Sequence, residues 1–323
     1  MKTSVINTSV GFGFLLLSSS AYPGDVIVIE TVLVKTVLVK TVLVKTVLVE
    51  TVLMIGTMRD QNGSTVPLSW SEIDANAIAL TRHTHINELM QQVSGAWISR
   101  GSGQEHLTAL LSPVLTDAGG CGSFYMAVDG IELRAPGLCN VIRLFDANSE
   151  QASEIEVIKG PGTALYGSNA MHGVINILSV PPSKNRQQVL GVDVGGFGYT
   201  RARYRFQNGW DNQGLSLLTN ITSDKGFVDN TGFDQQKMSA RYDNALGEWK
   251  TKTLIEYSNL NQETGGYVLG YKVYDDDARK RENPNPEAFR NASSFRGYSA
   301  ISKHIDTNNE LVFTPYLRSH GNR

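Results

Sequence analysis

The sequence predicts two parts in succession: a mixed α+β domain, then an incomplete transmembrane antiparallel β-barrel. Three observations carry this. Residues 154–178 read Glu-Ile-Glu-Val-Ile-Lys-Gly-Pro-Gly-Thr-Ala-Leu-Tyr-Gly-Ser-Asn-Ala-Met-His-Gly-Val-Ile-Asn-Ile-Leu, two short apolar strands with four glycines, a proline and small residues between them. Such a stretch must turn tightly and pack closely, because glycine supplies positive φ and leaves no Cβ in the way. From Gln187 the texture changes to period-two alternation, broken by Asp, Asn and Gly clusters. Finally, the first residues look like an export signal, and no later run approaches the ~18 apolar residues of a membrane helix. A membrane form of this chain is therefore a β-barrel.

The 323 residues carry a net charge of −2, which gives no global argument for a nucleic-acid partner. The 31 Gly, 12 Tyr and 11 Phe suit a turn-rich β protein. Residues 1–21 read as a signal peptide: Lys2 as a weak basic start, 10–17 as a short apolar core, and Ser19-Ser20-Ala21 as a small-residue cleavage site. Residues 22–54 form a linker, 55–182 the α+β domain and 183–323 the barrel part. Within the linker, residues 31–53 read TVLVK-TVLVK-TVLVK-TVLVE-TVL. In a strand a period of five sends Lys35 and Lys45 one way and Lys40 the other, so no clean buried face results. Thr and Val favour extended structure, and the lysines guard against sheet aggregation.

In the α+β domain, residues 67–73 read as a strand. Residues 85–93 have helical spacing, with Ile86, Leu89, Met90 and Val93 on one face. Residues 96–99 form a short strand after Gly95. Residues 124–128 and 131–133 make a hairpin around Asp129-Gly130, a strong turn signal. Residues 144–152 read as helical and lead into strands at 155–158 and 174–178.

Beyond Gln187, the residues Val189, Gly191 and Asp193, then Arg201, Arg203 and Arg205 set against Ala202, Tyr204 and Phe206, alternate with period two. Stretches 214–222, 237–245, 248–257, 297–304 and 310–318 continue the pattern, giving about seven strands. One face would meet lipid and the other a polar interior; a soluble β-sandwich is the alternative. A seven-stranded barrel cannot close around the preceding domain, because its own side chains would fill the lumen. Between residues 259 and 296 lies a long loop with Tyr267, Tyr271, Tyr274, Asp275-Asp276-Asp277 and Arg279-Lys280-Arg281. It is either a solvated outer loop or one that touches a ligand.

The motif at 154–178, together with VPLSWSEID, INELMQQVSGAWISRG and MAVDGIEL, resembles the plug domain of TonB-dependent outer-membrane receptors. The family form is close to IEV-(R/K)-GP-(x)-ALYG-(x)-(x)-A-(x)-GGVINI, and the likeness spans nearly all of residues 55–182. It implies an energy-coupling TonB box before the plug. Asp25, Val26, Ile27, Val28 and Ile29 fit that form, as do Glu30, Thr31 and Val32 with the two residues that follow. Such a box would add a strand to a sheet edge of TonB, which works with ExbB and ExbD. The repeats are then either extra copies of the box or a lengthened spacer. The resemblance places loops 117–123 and 134–139 toward the ligand, with Asp117, Gly119, Gly120, Gly122, Ser123, Arg134, Pro136 and Gly137 facing it. Cys121 and Cys139 are either two structural thiols or a disulfide tying these loops, which contributes about 3 kcal/mol if unstrained. Glu156 and Lys159 stand where plug–barrel contacts are expected, or else form a solvated strand face. Lys159 departs from the more common Arg and loses its bidentate fork. Leu111-Ser112 departs from an expected Arg-Gly.

The family barrel has about 22 strands, so the resemblance implies a partial chain, fragment or truncated product of a receptor. That receptor would sit as a monomer in outer-membrane lipid and take up a scarce nutrient, most simply a ferric siderophore, with a cobalamin-like ligand as rival. The alternative is an exported, non-transporting plug that only binds. No enzyme, cofactor or metal site is expected. Gly167-Ser168-Asn169 lacks the nucleophile elbow. His83 and His85 form an isolated H-x-H without a third ligand, read as a surface pair.

Overall fold

A computed structural model describes residues 27–33, 53–54, 61–62, 68–114, 123–134, 143–306 and 309–322. The predicted signal peptide, most of the repeat and both cysteines lie outside these residues. A β-branched run near the start gives β1 (Ile27–Leu33), followed by β2 (Leu53–Met54) and β3 (Gln61–Asn62), which pair with each other.

The α+β domain begins with β4 (Ser69–Asp74), one residue past the predicted end. Asp74 then caps a helix that the spacing did not announce, α1 (Ala75–Thr81): its Oδ1 accepts the Ala77 N–H at 2.7 Å. Arg82 ends this helix in the left-handed region, φ 47°. The helix predicted over 85–93 is confined to α2 (Ile86–Met90), opened by a capping box between His85 and Glu88. Ile86, Leu89, Met90 and Val93 are all buried as the spacing requires. The chain leaves the helix early because it turns at Gly95, φ 80°, into β5 (Ala96–Arg100), which pairs with β6 (His106–Leu110).

Next come β7 (Phe124–Val128) and β8 (Ile131–Glu132), joined by the expected Asp129-Gly130 turn with φ of 48° and 80°. The stretch read as helical at 144–152 is two 3₁₀ turns, Arg143–Asp146 and Ser149–Gln151. The motif strands follow as β9 (Glu154–Lys159) and β10 (Gly173–Leu178), with the short α3 (Thr163–Tyr166) between them. The sheet order is β4-β9-β10-β7-β8, and only β10 and β7 run parallel. One face packs Ile73, Ile155, Val157, Ile175 and Ile177 into the main core with Leu89, Met90 and Leu144.

The wall consists of β11 (Gln187–Val194), β12 (Thr200–Trp210), β13 (Gln213–Asp224), β14 (Phe233–Leu246), β15 (Trp249–Glu263), β16 (Phe289–His304), β17 (Glu310–Phe313) and β18 (Tyr316–Asn322). Neighbours from β11 onward are antiparallel. β17 and β18 both pair with β16, broken at Pro315, which has no N–H for the ladder. The strands outrun the sequence reading, so the long loop shrinks from 259–296 to 264–288. β1 lies parallel on the free edge of β11, from Ile27 opposite Gln188 to Leu33 opposite Val194.

The wall is inside-out relative to a soluble sheet. Asp193, Arg201, Ser216, Asn220, Gln235, Lys237, Glu256 and Arg296 are buried against the α+β domain. The alternate positions Leu190, Val192, Leu217, Ile221, Met238, Ile255 and Phe295 are exposed. No described helix is long and apolar enough to cross a membrane. This alternation is that of a transmembrane barrel face.

Candidate functional site

The residues gathered at the seam between the α+β domain and the wall are charged, buried and paired. The left-handed turn at Arg82 presents two backbone carbonyls to the wall. Arg201 Nη1 donates to His83 O at 2.6 Å and its Nη2 to Arg82 O at 3.0 Å. The same guanidinium holds Asp193 through Nε at 2.8 Å, and Arg82 Nη1 reaches Asp193 Oδ1 at 3.1 Å. Deeper in the seam, Lys237 Nζ donates to both Glu150 oxygens at 2.8 and 3.0 Å. Arg296 joins Glu256 at 2.9 Å and Asp146 O at 3.2 Å. At the domain's exit, Asp129 accepts the Ser179 N–H at 3.0 Å and the Tyr298 hydroxyl, and Arg241 Nη1 donates to Ser179 O at 2.8 Å.

Removing charges from water is costly unless each is paired and hydrogen-bonded. Burial alone raises the Asp129 and Glu150 carboxyls. Lys252 and Arg241 beside Asp129, and Lys237 beside Glu150, reverse this and hold both below the ordinary range. The histidines behave oppositely. Burial pushes His83 and His106 down to about 3 and His85 to about 4, so all three are neutral at physiological pH.

This corrects the reading of His83 and His85 as a surface pair: each is only 1% exposed. His83 Nε2 shares a hydrogen bond with Ser149 Oγ at 2.9 Å, and His85 Nε2 one with Glu105 O at 3.1 Å. Lys159 and Glu156 hydrogen-bond inside the domain. Lys159 Nζ donates to Ser71 Oγ at 3.0 Å and Ser94 O at 3.1 Å; Asn176 Nδ2 donates to Glu156 Oε2 at 2.9 Å. Ser123 is fully buried, its carbonyl accepting the His172 N–H at 2.8 Å, and Arg134 Nε meets Glu132 Oε1 at 3.3 Å. Asp117, Gly119, Gly120, Cys121, Gly122, Pro136, Gly137 and Cys139 lie outside the described residues, as do Asp25 and Val26. Ile27, Val28, Ile29, Glu30, Thr31 and Val32 fall in β1.

Sequence reasoning missed the seam residues Arg82, Asp129, Glu150, Asp193, Lys237 and Arg296 as a set. The available signal was a charge in the middle of an alternating strand, as at Lys237 between Gln235 and Ser239. Among the described residues no group of three or more His, Cys, Asp or Glu is placed to hold a metal ion.

The family model described as TonB-dependent Receptor Plug Domain matches residues 62–174. Residues 62–174 thus carry a TonB-dependent receptor plug domain, and the strands that follow share the fold of such receptors' barrels. It is 25% identical over 219 residues to the vitamin B12 transporter BtuB of Vibrio vulnificus (strain CMCP6), covering 64% of this chain and 34% of that protein. In fold the chain is similar to the ferric yersiniabactin uptake receptor FyuA from Yersinia pestis, with a TM-score of 0.66 at 15% identity, over 79% of this chain and 41% of the other. It is also similar to the siderophore receptor PiuA from Acinetobacter baumannii, with a TM-score of 0.62 at 14% identity, over 79% and 37%. The chain thus spans about a third of the curated relative's length.

Proposed function

We propose that this chain provides the plug and first wall strands of an outer-membrane receptor for a scarce nutrient. A ferric siderophore is the first candidate and a cobalamin-like ligand the rival. The observation that carries this is the plug docked by buried charge pairs against a wall that is polar inside and apolar outside. The segment Asp25–Val32 acts as the TonB box, adding a strand to TonB, which is driven through ExbB and ExbD. The role is binding and passage, with no bond made or broken.

Outer-membrane fractionation, with gel mobility compared before and after boiling, tests this reading. Recovery in the outer membrane with a heat-dependent shift is expected. Recovery only as a soluble periplasmic protein that still binds the periplasmic domain of TonB supports the non-transporting plug instead. A soluble protein that does not bind TonB sinks both. Deleting residues 31–50 leaves TonB binding intact if the repeats are spacer.

A further inference from the structure

The sheet of the plug has a second face, made by the even-numbered positions of β4, β9 and β10. Its first rung is apolar, Trp70 opposite Ile158 and Ile158 opposite Val174. The next two rungs pair like charges: Glu72 stands opposite Glu156, and Asp74 opposite Glu154. Directly opposed side chains on an antiparallel pair have Cβ atoms roughly 5 Å apart, and like charges there destabilise the pairing.

Asn176, opposite Glu156 on β10, donates to its Oε2 at 2.9 Å. One Asp74 oxygen is occupied by the cap of α1. Glu154 Oε1 is shut off from solvent with no hydrogen-bond partner among the described residues. The charges acting on Glu72 are Asp74 from β4 and Glu156 from β9, and those acting on Glu154 are Glu72, Asp74 and Glu156; the Tyr166 hydroxyl from α3 lies beside Glu156. Among the described residues no Lys, Arg or His acts on Glu72 or Glu154, and Lys159 bonds on the opposite face. Among the described residues β4 is also the outer strand of its sheet, paired with β9 alone, whereas Asp129 and Glu150 tie other parts of the plug to the wall.

We propose that β4 is a proton-held release strand. Protons held on Glu72 and Glu154 keep β4 on β9, and their loss to solvent loosens this edge. A pull on the N-terminal segment then peels β4 before the rest of the plug. The last step rests on the proposed TonB box; the pH-dependent seam does not. Burial first, then the neighbouring carboxylates, push Glu154 up to about 8 and raise Glu72. A carboxyl raised in the folded state contributes stability that is present below its ordinary value of 4.5 and is lost as pH rises through about 8.

Amide hydrogen exchange of residues 69–74 in the full chain in detergent micelles, at pH 6 and pH 9 and corrected for intrinsic exchange, tests the seam. Protection of β4 relative to β10 is expected to fall about tenfold. In Glu72→Gln with Glu154→Gln it is expected to stay level, and in Glu72→Gln alone to fall less. Level protection in the unaltered chain, or the same fall in chain and variants, overturns the proposal. None of these readings involves TonB, so a failed TonB box leaves the seam result standing.

Discussion

Lys237 shows what a single inward charge does in this molecule. It sits 2% exposed on β14 and meets a plug carboxylate 87 positions away in sequence. Lys237→Met is expected to weaken plug docking by about 3–5 kcal/mol, because Glu150 is left buried and unpaired. Adding Glu150→Gln is expected to restore most of that, with denaturant-dependent protease cleavage of the plug as the measurement. Equal losses in the single and double variants would refute the pairing as the cause. Glu150 is held below its ordinary 4.5, so its contribution is present above that value and lost as pH falls through the folded one. The histidines teach the complementary lesson. Their H-x-H spacing carried no signal of burial. That burial comes from Ser149, 66 positions from His83, and from Glu105, 20 positions from His85.

At the scale of elements, the glycines of the motif divide into two kinds. A Cβ on Gly173 would lie 2.5 Å from the Ile158 carbonyl oxygen and 2.7 Å from Leu110 Cδ1. Gly173→Ala is therefore expected to push β9 from β10 and cost about 3 kcal/mol in thermal unfolding. Gly160 has φ +101° but open space around it, so Gly160→Ala is expected to cost only about 1 kcal/mol of backbone strain. A reversed order of the two losses would contradict this packing. Both motif strands and the Asp129-Gly130 hairpin were legible because local sequence dictates them: apolar runs, a left-handed turn, close packing. The helix α1 was not, since its seven residues bury only Ile78 and show no period. Nor was β6, whose pairing with β5 depends on the turn at 101–105 more than on its own pattern.

For the whole molecule, the decisive property is that the wall turns its oily side outward. Ile221→Arg on that side is expected to cost about 2–4 kcal/mol of folding into phospholipid vesicles if the site lies at mid-bilayer. Ser216→Ala, facing inward on the same strand, should change insertion little. Equal folding yields for Ile221→Arg and the unaltered chain would argue against a lipid-facing wall. The division into plug and wall was readable because each half follows a local rule, alternation in one and mixed periodicity in the other. The docking between them was not, because its partners are remote, up to the 186 positions that separate Arg318 from Glu132. The parallel seat of β1 on β11 has one further consequence. A slip of the pairing by one repeat unit brings Thr36-Val37-Leu38 to the edge that Thr31-Val32-Leu33 occupy, and exchanges Glu30 for Lys35 opposite Gly191. Such a slip would move the chain along this edge by about 16 Å, five residues of extended strand.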